Sequence, residues 1–338
     1  MMRRLSSIVF LLFITAVLHG CGDGSGPASQ KYPNDDVLRI NQIQCMGTHN
    51  SYHTTGGFPG IPFLQYSHEP LDVQLEMGVR KFELDIHYNR GQGMKVHHIP
   101  FIDFRTTCEY FVDCLALVRE WSDGHPGHHL LFLLVEPKDE FDADKLEGHM
   151  AEIDDEILSV WPRDRIFTPD DLIADDGYSS LIEAVLDRGW PLMGTVRGRI
   201  MFVLWDSSPL RDEYIAGDPT LAGRVMFTRG GLDKPWGGFT NFDDPIGDGA
   251  AIDEAVTAGL IVRTRADADC IEAYLEDTSR QEAALASGAQ IITTDFPAPP
   301  KYSDYWFDLP DGIPSRCNPL IAPGFCESRD IEDLPGGD

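Results

Sequence analysis

Positive charge is what this chain has least of: 27 Lys and Arg stand against 55 Asp and Glu, a formal net charge of −28. Nucleic acid is recognised through a basic face that displaces counterions, so that class of partner is excluded. An anionic membrane would likewise repel the protein unless cations intervene. No glycine-rich nucleotide fingerprint follows the first apolar segment, no CxxC or Cys/His spacing marks a zinc site, and no internal repeat occurs. Long apolar runs are also missing: the one from Ile8 to Leu18 is too short to span a bilayer as a helix.

That run follows Met1-Met2-Arg3-Arg4 and precedes Leu18-His19-Gly20-Cys21, which reads as a secretory signal over residues 1–20. Its last four residues resemble a bacterial lipobox, which implies export, cleavage before Cys21 and a lipid anchor on that cysteine. His19 departs from the small or apolar residue usual there and leaves simple secretion open. Residues 21–35 are small, polar and rich in Gly and Pro, as in a flexible tether. A single barrel domain is expected over 36–310, then an extension over 311–338 that carries Cys317 and Cys326 and ends in a loose acidic tail. With Cys21 lipidated, Cys45, Cys108, Cys114, Cys270, Cys317 and Cys326 remain, an even number that favours disulfides in an exported chain. Close spacing predicts Cys108–Cys114 and Cys317–Cys326. No dimer signal is visible, and a monomer is expected.

Short apolar or alternating runs recur at Ile43–Met46, Lys81–His87, Met94–His98, Leu130–Glu136, Arg199–Trp205, Arg224–Thr228, Leu260–Thr264 and Gln290–Thr294. Helix-like stretches lie between them. Strands alternating with helices indicate an α/β fold with a parallel sheet, and eight such units predict a TIM-type (β/α)8 barrel. An open doubly wound sheet is the alternative. Polar residues collect at the ends of these runs: His49-Asn50, Asp85, His98, Glu136, Asp206, Arg229, Arg265 and Asp295. In a barrel those ends share one mouth, where active sites lie. In Phe82-Glu83-Leu84-Asp85-Ile86-His87 the apolar face alternates with two carboxylates and an imidazole. Carboxylates about 7 Å apart on one strand face repel each other unless a cation sits between them.

Four motifs then follow in order: Gly47-Thr48-His49-Asn50-Ser51-Tyr52, Glu83-Leu84-Asp85, Val96-His97-His98 and Leu134-Val135-Glu136-Pro137-Lys138. With the closing Ala289–Pro297 segment they resemble the phosphatidylinositol-specific phospholipase C superfamily, in particular its calcium-dependent bacterial branch, over roughly residues 40 to 300. The resemblance implies Asn50, Glu83, Asp85 and Glu136 as ligands of Ca2+, with Mg2+ the weaker competitor; such an oxygen set suits a hard cation. It implies that His49 donates a hydrogen bond to the phosphoryl group while His98 protonates the leaving oxygen, that Glu83 or Glu136 takes the attacking hydroxyl's proton, and that a cyclic phosphate forms. Lys138, Arg229 and Arg265 are candidates for phosphate or headgroup contacts in so acidic a protein; an ion pair between Glu136 and Lys138 is the plainer account of that pair. His53 and His68 are placed near substrate, and His125, His128 and His129 on the surface at the far end. The expected activity is a calcium-dependent phosphodiesterase acting on phosphatidylinositol or a related phospholipid or diester. A glycerophosphodiester or sphingomyelinase-D-like enzyme on the same barrel, or an inactive lipid-anchored binding protein, are the alternatives.

Overall fold

The computed structural model describes residues 32–56, 61–138, 144–174, 176–207 and 209–333. The signal segment, Cys21 and all but the end of the tether lie outside the described residues. In chain order the strands are β1 (Ile43–Thr48), β2 (Val79–His87), β3 (Lys95–Val96), β4 (Leu131–Pro137), β5 (Ile200–Leu204), β6 (Phe227–Thr228), β7 (Phe239–Asn241), β8 (Ile261–Arg265), β9 (Ile291–Thr294) and β10 (Ser315–Cys317).

Eight of them pair in parallel along the path β6-β5-β4-β2-β1-β9-β8-β7. The two ends of this path meet through a parallel bridge between Arg229 and Phe239. The result is a nearly closed barrel of the TIM type. Its interior is filled: Phe132 on β4 and Phe239 on β7, far apart along the path, bring their ring centroids within 6.4 Å.

One predicted strand is not a barrel strand. Only Lys95–Val96 of the Met94–His98 run is extended, and it pairs antiparallel with β2. The turn between them is too short for the crossover that parallel strands need, so the chain folds back as a hairpin. The eighth barrel position is filled instead by β7, three residues after Gly237-Gly238.

The alternation in β2 decides what faces where. Phe82, Leu84 and Ile86 join Leu71 and Leu75 of α1 (Leu71–Glu76) and Phe111, Leu115 and Val118 of α2 (Phe111–Gly124) in one cluster. These helical positions recur every three or four residues, the spacing of a single buried face. Lys81, Glu83 and Asp85 therefore turn into the barrel.

The C-terminal segment is built into the fold. β10 pairs antiparallel with the first half of β1, and the Cys108–Cys114 and Cys317–Cys326 disulfides are both present. The tail is not loose as far as it is described: Glu332 is buried and its Oε1 lies 2.6 Å from Nη2 of Arg80. His128 and His129 are likewise buried rather than on the surface, because Ser122, Ser315 and Glu332 supply the partners that let imidazoles enter the barrel floor. His125 alone of that trio is exposed.

Candidate active site

The parallel pairing of β1 with β9 brings Thr48 beside Thr294, so the next residues, His49 and Asp295, meet at the mouth. Nδ1 of His49 lies 2.8 Å from Oδ1 of Asp295, and Nη2 of Arg265 donates to the other carboxylate oxygen at 3.0 Å. Burial and Arg265 lower the His49 pKa against the upward pull of Asp295. Burial would raise that of Asp295, but His49 and Arg265 hold it at about 2. Arg265 is thus engaged with Asp295, and its Nε donates to the carbonyl of Asp267 at 2.9 Å. Asn50 follows with φ 43°, a left-handed conformation that Asn tolerates. Its Nδ2 donates to the Tyr66 hydroxyl at 3.0 Å, which leaves Oδ1 as the amide's free acceptor.

The β2–β4 register sets Asp85 opposite Glu136. Asp85 is fully buried, and neither of its carboxylate oxygens has a hydrogen-bond partner among the described residues. The Lys138 ammonium is 3.5 Å from Asp85 and also contacts Glu136. Burial, reinforced by Glu136, pushes the Asp85 pKa well above the carboxylate range; burial also raises that of Glu136. Glu83 has a different setting. Burial would raise it, yet Lys81 at 2.6 Å and Arg263 at 3.4 Å hold it well below the usual range. That makes Glu83 a poorer base than Glu136. Lys81 is itself buried, and burial brings its pKa down to about 8 despite Glu83.

His98 follows β3 and is 23 % exposed, much as His49 is 22 % exposed. Its Nδ1 lies 2.8 Å from Oδ2 of Asp103. The rings of His49, Tyr66, His53 and His98 form a series at this mouth, with successive centroids 6.5, 4.2 and 6.5 Å apart. His53 is buried against Asp103, and His68 is buried against the carbonyl of His49; both stand behind the exposed imidazoles. His87 lies flat on His97, with centroids 3.8 Å apart, which separates His97 from the role given to His98. Arg229 has no acidic partner among the described residues; its guanidinium lies 5.1 Å over Trp205 and lines a cleft of 470 Å³ with Arg211 and Lys234.

A sequence model of the family described as phosphoinositide phospholipase C, Ca2+-dependent, matches residues 38–93 and 87–319. The chain belongs to this family. Its members are phosphoric diester hydrolases, and calcium dependence is part of the family's definition. Among solved structures, the calcium-dependent phosphatidylinositol-specific phospholipase C of Streptomyces antibioticus is 21 % identical over 77 % of this chain and 95 % of its own, with a TM-score of 0.56. The calcium-dependent phosphoinositol-specific phospholipase C of a Gram-negative Pseudomonas species is 18 % identical, covering 85 % of this chain and 98 % of its own, with a TM-score of 0.61. Both share the barrel fold. A comparison with curated protein sequences finds no match.

Within this phospholipase C barrel the site contains groups that the motifs alone did not single out. Lys81 shares the strand face of Glu83 and Asp85, and Arg263 that of Arg265, so strand parity was the available signal for both. Asp103 carried none; it lies in a loop among Phe101, Ile102 and Phe104. Among the described residues, no three His, Cys, Asp or Glu side chains converge as a ready-made cation cage. The Asp85 carboxylate oxygens, which have no hydrogen-bond partner among the described residues, and the Asn50 amide oxygen are donors of the hard-oxygen kind that calcium takes.

Proposed function

We propose that this enzyme cleaves phosphatidylinositol, or a closely related phosphodiester, by intramolecular attack that forms a cyclic phosphate. The observation that carries the reading is the pair of partly exposed imidazoles at one barrel mouth, each with Nδ1 fixed on a buried carboxylate, together with the buried Asp85, whose oxygens have no hydrogen-bond partner among the described residues. With Nδ1 engaged, each ring presents Nε2 outward. Proton transfer by two such groups supports attack at phosphorus and departure of an alkoxide.

Asn50, Asp85 and Glu136, with Glu83 beyond them, would hold calcium. The ion would lower the pKa of the inositol 2-hydroxyl and neutralise phosphoryl charge. Nε2 of His49 lies 3.7 Å from Oε1 of Glu83 at the barrel mouth. It accepts the hydroxyl proton, with Glu136 as the other available base, and then donates a hydrogen bond to the phosphoryl oxygen. Asp295 keeps this ring in one orientation. His98 gives its Nε2 proton to the departing glycerol oxygen. Lys138 and Arg229 supply positive charge for the phosphate or headgroup. Export, and anchoring through a lipid on Cys21, belong to the same reading and are supported by the N-terminal sequence and the two disulfides.

The test is hydrolysis of phosphatidylinositol vesicles by the purified protein, with calcium and with chelator, followed by phosphorus NMR. A calcium-dependent cyclic inositol phosphate is expected. Activity confined to glycerophosphodiesters or sphingomyelin would retain the site and replace the substrate. Binding without turnover of any diester would leave a lipid-anchored binding protein.

A further inference from the structure

Asp103 sits between two imidazoles. Its Oδ2 is 2.8 Å from Nδ1 of His98, and its Oδ1 is 2.8 Å from Nε2 of His53. The carboxylate is almost entirely buried, and although burial alone would raise its pKa, hydrogen bonds from both rings bring it down to about 2. His53 is wholly buried, its Nδ1 has no hydrogen-bond partner among the described residues, and its ring stacks on Tyr66. His53 can therefore hold Asp103 but cannot reach substrate.

The backbone explains how the three residues meet. Asp103 and Ile99 exchange two main-chain hydrogen bonds of 2.9 and 2.8 Å, which closes a tight loop over Pro100, Phe101 and Ile102. Phe101 at its tip has φ 65° and is 86 % exposed. The following residues run antiparallel to the loop after β1: Thr107 bonds to Tyr52, and His53 bridges Thr106. Asp103 thereby turns inward to His53 while Phe101, Ile102 and Phe104 stay outside.

We propose that Asp103 is the positioning residue of the general acid, and that His53 is the buried clamp that holds Asp103 for this task. The inference rests on the role of His98 proposed above. In the step concerned, the inositol 2-oxygen forms its bond to phosphorus as the bond from phosphorus to the glycerol oxygen breaks. The proton on Nε2 of His98 passes to that oxygen, while Nδ1–H stays on Asp103. Without Asp103 the ring loses its fixed orientation and the acceptor that keeps a proton on Nδ1.

The test compares two substrates of the full chain in calcium: phosphatidylinositol, whose alkoxide must be protonated to leave, and 4-nitrophenyl inositol phosphate, whose phenolate leaves without a proton. For Asp103→Asn, kcat on the lipid is expected to fall about 100-fold, the lower end of what a general acid contributes. On the nitrophenyl ester a loss under about threefold is expected. His53→Asn should show the same selectivity with a smaller loss, and Asp103→Asn should cost nothing further in a His98→Ala background. Equal losses on both substrates in folded variants, or none, would overturn the proposal. If Asp103→Asn does not fold, the His53→Asn ratio decides alone. Nitrogen-15 NMR of the imidazoles gives a readout independent of turnover. A His98 Nδ1–H bound to carboxylate in the wild type and released in either variant supports the clamp, even should the wild type prove inactive on both diesters and overturn the proposed substrate instead. An unchanged resonance would refute it.

Discussion

Asp85 and Glu136 occupy facing positions in adjacent strands of the barrel, and the Lys138 ammonium touches both. Burial raises both carboxyl pKa values, so ionising them costs the folded protein more than it costs the unfolded chain. That difference costs stability as pH rises above the ordinary carboxylate range of about 4. A cation binds only the ionised forms, so its stabilising effect grows with pH. Melts in calcium and in chelator should diverge little near about pH 5 and clearly near about pH 7.5, by about 2.7 kcal/mol when calcium exceeds its Kd about 100-fold. Asp85→Asn should abolish the divergence; if it persists there, the cation binds elsewhere.

Asp295 holds His49 from the strand opposite in sequence, and Arg265 holds Asp295 in turn. Replacing the carboxylate by an amide keeps its size and removes its power to fix the tautomer. Asp295→Asn is expected to lower kcat by about 10³–10⁴ with KM little changed. Arg265→Met acts one contact further out and should lose less. Steady-state kinetics on phosphatidylinositol check the order of these effects; an Arg265 variant that mainly raises KM would assign that residue to direct phosphate binding.

Much of this site was legible because barrel geometry turns strand ends into a shared mouth. His49, Asn50, Asp85, Glu136, His98 and Asp295 each close an apolar run. The apolar runs also revealed seven of the eight barrel strands, since a strand buried on both faces is a run of Val, Ile, Leu and Phe. β7 escaped because three residues after a Gly-Gly pair have no period to read. Met94–His98 misled because alternation does not distinguish a hairpin partner from a parallel strand; the shortness of the preceding turn was the discriminating feature. Asp103 stayed hidden because its role depends on a loop crossing beside His53, a tertiary contact with no local pattern. The buried His128, His129 and Glu332 were hidden for the same reason.

Arg229 stands apart from the other cations at the mouth, since no carboxylate neutralises it among the described residues. Lys138 is shared by Asp85 and Glu136, and Arg265 is bound to Asp295. An unpaired guanidinium over Trp205 is free to meet an anionic group. Arg229→Ala should therefore raise KM for phosphatidylinositol about tenfold, with kcat changed less. Its stability should stay within about 0.5 kcal/mol of wild type. A large fall in melting temperature with unchanged KM would instead assign Arg229 to packing.

At the opposite end of the barrel, Arg80 and Glu332 form a buried ion pair that joins the C-terminal tail to β2. Burial would raise the Glu332 pKa, but Arg80 and His129 bring it down to about 2. A depressed carboxyl contributes stability that is present above its unfolded value near about 4.3 and lost as pH falls towards about 2. Burial lowers the pKa of His128 and His129 to about 4, so both rings are neutral in the fold. Their unfolded value is about 6.5, and stability is lost as pH falls from there to about 4. Acid should therefore loosen the floor in two stages, the imidazoles first and the carboxylate second. Glu332→Gln leaves Arg80 without its counter-charge, a change worth about 3 kcal/mol at neutral pH, the lower end for a broken buried pair. The lower figure applies because Arg80 keeps hydrogen bonds to the carbonyls of Leu75 and Val79. Urea denaturation at pH values from about 7 to about 3 checks both the loss and the disappearance of the second stage in the variant. Activity per folded molecule should be unchanged, because the pair lies at the far end from His49 and His98; a variant as stable as wild type at neutral pH would show that the tail is held by its disulfide and β10 instead.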